Sequence, residues 1–84
     1  MIEQMRSLVG EVSQALATQM TWTQTEVGAM RHWTGRGEKW VIQLVVLPGL
    51  RVQRMGTATA GGVVMKLPDE LAALAEEYAT GVRK

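Results

Sequence analysis

The chain has 84 residues, a mass of 9.2 kDa and a formal net charge of +1, enough for one domain with a thin core and too short for two. Its hydrophobic content of 46 % and charged content of 20 % are those of a folded chain rather than a disordered one. Cysteine is absent and His32 is the single histidine, which removes disulfides, thiolate nucleophiles, Cys-based zinc sites and any paired-histidine site.

The first residues carry Glu3 and no cationic run ahead of an apolar stretch, so no secretory signal is expected. Residues Ile2 to Gln19 read as a helix. Ile2, Met5, Leu8, Val9, Val12 and Leu16 recur at steps of three and four, a single apolar stripe. Glu3, Gln4, Arg6, Glu11 and Gln14 fall on the opposite side. Gly10 weakens that helix by about 1 kcal/mol relative to alanine.

From Thr21 the residues become β-branched and aromatic, which predicts a strand continuing to Trp33. Thr34-Gly35-Arg36-Gly37 reads as a hairpin connection, because its two glycines can take positive φ. A second strand follows from Glu38 to Leu47, broken by Pro48-Gly49, and a third from Leu50 to Thr57. A one-residue bulge at this second hairpin would gather Ile42, Leu44 and Val46 with Leu50 and Val52, and is preferred for that reason. Residues 57–62 read as a loop or a frayed hairpin end, and Val63 to Lys66 as a short fourth strand.

Leu67-Pro68-Asp69-Glu70-Leu71 opens a second helix, with proline at the first helical position and acids at the positive end of its dipole. Leu67, Leu71, Leu74, Ala75 and Tyr78 form its apolar stripe. Gly81 ends it, and Arg83 and Lys84 follow as a cationic tail. The expected fold is α+β, with an N-terminal amphipathic helix, an antiparallel sheet of three to four strands and a C-terminal helix, all in one domain over residues 1–84.

The strand Glu38 to Leu47 is apolar on both faces. Trp40, Ile42, Leu44 and Val46 point one way, and Val41, Val45 and Leu47 the other. A sheet covered on one face only should alternate apolar with polar. Either each helix covers one face, or both share a face and a second chain covers the other. A two-fold homodimer is the commonest solution of the latter kind, built through the sheet or through this strand.

The charge is uneven along the chain. Residues 1–20 carry −1 and residues 67–84 carry −2. Between them, Arg31, Arg36, Lys39, Arg51, Arg54 and Lys66 outweigh Glu26 and Glu38, for +4. Trp22, Trp33 and Trp40 lie in the same basic region. Cations interleaved with aromatic rings can hold single-stranded nucleic acid, phosphates meeting the cations and bases stacking on the rings. Arg31, Trp33, Arg36, Lys39, Trp40, Arg51 and Arg54 are the candidates for such a face. The competing reading makes the tryptophans core; burial by Leu8, Val12, Leu71 and Leu74 would favour it.

The order helix, three strands, helix is similar to that of double-stranded RNA-binding domains, but Pro68-Asp69-Glu70 stands where those domains present lysines. A strand followed by Leu67-Pro68-Asp69-Glu70-Leu71 looks like the opening of a ribbon-helix-helix repressor, whose second helix has no counterpart before Lys84. Neither family is assigned on these residues.

No catalytic arrangement emerges. His32 has no cysteine or histidine partner, Ser7 and Ser13 lie on the polar face of a helix, and Asp69-Glu70 and Glu76-Glu77 read as a helix start and a solvated helix face. Gly35-Arg36-Gly37 and Gly61-Gly62 lack the strand-loop-helix setting and Lys-Ser or Lys-Thr ending of a phosphate loop. Met5 and Met65 read as core. Met20, Met30 and Met55, near strand ends, are candidates for an adaptable protein-binding surface, with ordinary gap-filling core the preferred reading. The expectation is therefore a cytoplasmic, non-catalytic regulatory module without cofactor, metal or membrane span, which binds protein or assembles with itself as a homodimer. Nucleic-acid binding is the alternative.

Overall fold

The structure, a computed structural model, describes residues 2–18 and 20–82, with side chains from Val9 onward. The elements run α1 (Ile2–Ala17), β1 (Thr21–Val27), β2 (Met30–Arg36), β3 (Val41–Leu47), β4 (Gln53–Ala60), β5 (Val63–Lys66) and α2 (Asp69–Thr80). The α+β architecture is the one the sequence implies. The sheet has five antiparallel strands in the order β1-β2-β3-β4-β5, each paired with its chain neighbour.

The extra strand comes from dividing the stretch Thr21 to Trp33. Gly28, at φ 60, begins a two-residue turn with Ala29, the position that a tight hairpin turn reserves for glycine. The β2–β3 connection then falls at residues 37–40, closed by the Gly37 N–H donating to the Trp40 carbonyl at 2.9 Å. Gly35 belongs to β2 rather than to this turn. The β4–β5 turn is Gly61-Gly62, both at positive φ, so the segment expected as a loop is strand as far as Ala60.

The β3–β4 hairpin also differs from expectation. Ile42, Leu44 and Val46 pair with Ala58, Gly56 and Arg54 across a loop spanning residues 48–52. The parity is that of the bulged alternative, but Leu50 and Val52 are exposed in the loop. β4 therefore starts at Gln53.

Period two assigns the faces. The inner face carries Trp22, Trp33, Ile42, Leu44, Val46, Gly56, Ala58 and Met65. Both helices lie on this side. Val12 and Leu16 of α1, Leu71, Ala72 and Ala75 of α2, and Leu67 ahead of α2 form one buried cluster with Trp33, Trp40, Ile42, Leu44, Val46 and Ala58. Burying each large aliphatic side chain contributes about 1.5–3 kcal/mol, so this layer accounts for most of the fold's stability. Of the expected α1 stripe, Val12 and Leu16 are fully buried and Val9 partly so; the side chains of Ile2, Met5 and Leu8 lie outside the described residues.

Small residues on β4 bring α2 close. Leu67 lies over Gly56, its Cδ1 2.6 Å from where a Cβ on that glycine would stand, and its N–H donates to the Gly56 carbonyl at 2.8 Å. Pro68 caps α2 from extended backbone, one position earlier than expected. Gly81 ends the helix at φ 78, with its N–H on the Tyr78 carbonyl and that of Val82 on the Glu77 carbonyl. This pair of bonds is the Schellman closure. Gln19, Arg83 and Lys84 lie outside the described residues.

Candidate protein interface

With both helices on one face, the outer face of the sheet is uncovered. It is built from Thr21, Thr23, Thr25 and Val27 of β1; Met30, His32, Thr34 and Arg36 of β2; Val41, Gln43, Val45 and Leu47 of β3; Gln53, Met55, Thr57 and Thr59 of β4; and Val64 and Lys66 of β5. Val41, Met55 and Val64 are exposed by 37, 53 and 64 %. A polar ladder, Thr23–Thr34–Gln43–Thr57–Lys66, crosses the middle of the face. Beside it Val45 pairs with Met55, and together with Gln43, Thr57, Lys66 and the Gly56 backbone they line a hollow of about 370 Å³.

The charge on this face has one sign. Arg36 and Lys66 lie near its margins, and no carboxylate occupies it. The acids are elsewhere. Asp69, Glu70, Glu76 and Glu77 are on α2, Glu11 is on α1, Glu38 is in the β2–β3 loop, and Glu26 faces inward from β1. The centre of the face is thus apolar and hydroxylic, with cations at the rim.

The candidate nucleic-acid residues are distributed differently from the expectation. Trp33 and Trp40 are 4 and 6 % exposed, within the cluster that contains Val12 and Leu71. Leu74 packs against that cluster, and the Leu8 side chain lies outside the described residues. Trp22 is also on the inner face, partly buried. Stacking a base needs an accessible ring, and Trp33 and Trp40 offer none.

The cations are not gathered either. Arg54 is on the inner face in an ion pair with Glu76 of α2. Lys39, in the β2–β3 loop, lies 3.6 Å from Glu11 and 5.9 Å from the Trp40 ring centroid. Arg31 is paired across strands with Glu26 at one end of the inner face, Arg51 is in the β3–β4 loop, and Arg36 alone of the set occupies the outer face. Alternation along β2 puts Arg31 and Trp33 on one side and Arg36 on the other, and the helices cover Trp33.

His32 is half-buried on the outer face between Thr25 and Val45. Among the described residues no group of three or more His, Asp or Glu side chains could hold a metal ion, and no helix is long and apolar enough to cross a membrane. A cavity of about 420 Å³ lies at the end of the inner face, bounded by Glu26, Arg31, Val46, Pro48, Val52 and Glu76. Sequence reasoning set Val41, Val45 and Leu47 on one side of β3 and offered Met20, Met30 and Met55 as a binding surface; Met30 and Met55 are on the open face, Met20 packs against the core cluster instead, and the threonines were missed. Their signal was the alternation Thr21-x-Thr23-x-Thr25 and Thr57-x-Thr59, which period two places on one face. No protein-family model, curated protein or solved structure matches this chain.

Proposed function

We propose that the protein is a small non-catalytic docking module that acts as a homodimer, two copies meeting through their outer sheet faces. The observation that carries this reading is the placement of both helices on one side of a strand, β3, that is apolar on both. β3 is the central strand, with β2 and β4 occupying its two edges. Its contribution to a dimer is therefore through its outer side chains and not through backbone pairing.

Two further features support a second copy as the occupant. Three strands of seven residues, one of eight and one of four, about 4.8 Å apart, span roughly 500 Å² in plan, and side-chain relief brings the accessible area toward the ~800 Å² per partner of a standard interface. A two-fold axis along β3 sets Val41, Val45 and Leu47 against their own counterparts. The same axis sets Arg36 opposite Thr59 and Lys66 opposite Thr23 of the other copy, so no two cations meet. The cytoplasmic and regulatory setting expected from the sequence belongs to this reading.

Sedimentation velocity tests it. The native chain should sediment at twice the 9.2 kDa chain mass, and Val45→Glu and Met55→Glu should each sediment as monomers with unchanged far-ultraviolet circular dichroism. A native chain that stays monomeric at its highest soluble concentration overturns the reading. So does a dimer indifferent to both substitutions.

A further inference from the structure

The sheet has two edges, and they are not equally protected. β5 is four residues long, carries Lys66 and runs into Leu67-Pro68. Shortness, a lysine and a nearby proline are devices that keep an edge from recruiting another strand. β1 has none of these three, and its one charge, the inward-facing Glu26, stands next to its last residue. It is seven residues of Thr-Trp-Thr-Gln-Thr-Glu-Val, exposed everywhere except at Trp22, and its register against β2 runs unbroken from Thr21 to Val27. In an antiparallel ladder, alternate residues turn their backbone donors and acceptors away from the paired strand, and β1 has a partner on one side only.

We propose that β1 is a strand-addition site for an extended segment of another protein, taken in antiparallel register with a cation opposite Glu26 and an aliphatic side chain opposite Trp22. Backbone pairing provides the attachment, and alternate side chains provide the selectivity. The inner-face side chains of β1 are Trp22, Gln24 and Glu26. Glu26 is exposed and oriented by Gln24, whose amide donates to its Oε1 at 3.1 Å. Arg31 is the cross-strand neighbour of Glu26 on β2 but makes no ion pair with it, and no other cation among the described residues does. The Trp22 indole covers Gly35 on the β2 side, and an aliphatic neighbour on the free side would bury more of the ring. On the other face, Thr21, Thr23, Thr25 and Val27 favour β-branched neighbours.

A second copy of β1 is a poorer occupant. A two-fold axis through Gln24 would set each Glu26 opposite the other copy's Trp22 and bring neither carboxylate a cation. The inference stands on the sheet edge and is independent of the outer-face dimer.

The probe is the acetylated and amidated peptide Thr-Arg-Thr-Gln-Val-Leu-Thr, titrated into the isotope-labelled full chain and followed by amide chemical shifts. Shifts should centre on β1. Methylating the alternate peptide nitrogens that face β1 should abolish binding, and methylating the other alternate set should leave it intact. Replacing the probe's arginine with glutamate should weaken binding about two- to fivefold, the ratio an exposed ion pair supports, and Glu26→Lys should reverse that preference. Val45→Glu, which separates the outer-face dimer, should leave peptide binding unchanged, so the two readings fail separately. The proposal is overturned by absence of shifts at the peptide's solubility limit, by shifts centred away from β1, by equal binding of both methylated probes, or by direct contacts showing β1 already paired with a second copy.

Discussion

The Trp22 ring lies across Gly35, with three ring carbons 2.7 to 2.8 Å from where a Cβ on that glycine would stand. The two residues are direct cross-strand partners on the inner face. The glycine is there for the space it leaves. Gly35→Ala should lower stability by about 1–3 kcal/mol, the usual range for forcing extra volume into a packed site. Urea unfolding measures it, and an accompanying change in tryptophan emission identifies the displaced ring. An unchanged midpoint would mean that the indole moves aside without cost.

Gly56 and Leu67 form a second pair of this kind, and here the coupling can be isolated. Gly56→Ala alone should destabilise the fold, because the Leu67 side chain fills the space a methyl would need. Leu67→Ala alone should cost about 2–5 kcal/mol as a buried leucine truncation. The double variant should be more stable than the sum predicts by about 0.5–3 kcal/mol, the range for residues in contact. Strict additivity would place Leu67 off Gly56 in solution.

The Arg54–Glu76 ion pair ties β4 to α2, with side chains 37 and 26 % exposed. That exposure screens it, so Glu76→Gln should cost less than about 1 kcal/mol at low salt. The difference should shrink toward zero as ionic strength rises, because exposed charges are screened. A larger and salt-independent loss would point to packing by the Glu76 side chain rather than to its charge.

Burial of Trp33 and Trp40 has a direct spectroscopic consequence. Single-stranded DNA or RNA should leave tryptophan emission unchanged at low and moderate salt, and substituting Arg36, Arg51 and Arg54 with alanine should make no difference to that result. Strong quenching that fades steeply with salt would instead report counterion release on nucleic-acid binding, and would point first to Trp22, the one ring of the three left partly open.

The helices, β5 and the class of the fold were legible because their signals are local: apolar steps of three and four, a proline and acids at a helix start, a glycine at its end. The sheet was less legible because its glycines do different work in different places. Gly28 makes a turn without a proline, asparagine or aspartate beside it to announce one, and so Thr21 to Trp33 read as a single strand. Gly35 looks like a turn residue and is a seat for Trp22. Gly56, Ala58 and Ala60 lack the bulk of a typical strand, and so β4 read as ending early. They are small because Leu67 and α2 approach there. The candidate site divides in the same way. The apolar outer side of β3 could be read from alternation alone. Which face the tryptophans share with the helices could not, because it depends on α1 and α2 meeting from opposite ends of the chain.

That meeting also orders events in time. Each strand pairs with the one made just before it, so the sheet can assemble hairpin by hairpin as the chain emerges. α1 is synthesised ahead of everything it packs on. Val12 and Leu16, fully buried in the finished protein, have no inner face to cover until β3 exists and no neighbouring helix until α2 is complete. Until those partners arrive, the apolar residues of this segment are open to capture by a chaperone. Closing it against α2 also sets the longest loop in the fold, whose entropy must be spent before those contacts repay it. Slow docking of α1 onto a sheet already formed is therefore the step that should limit the rate of folding.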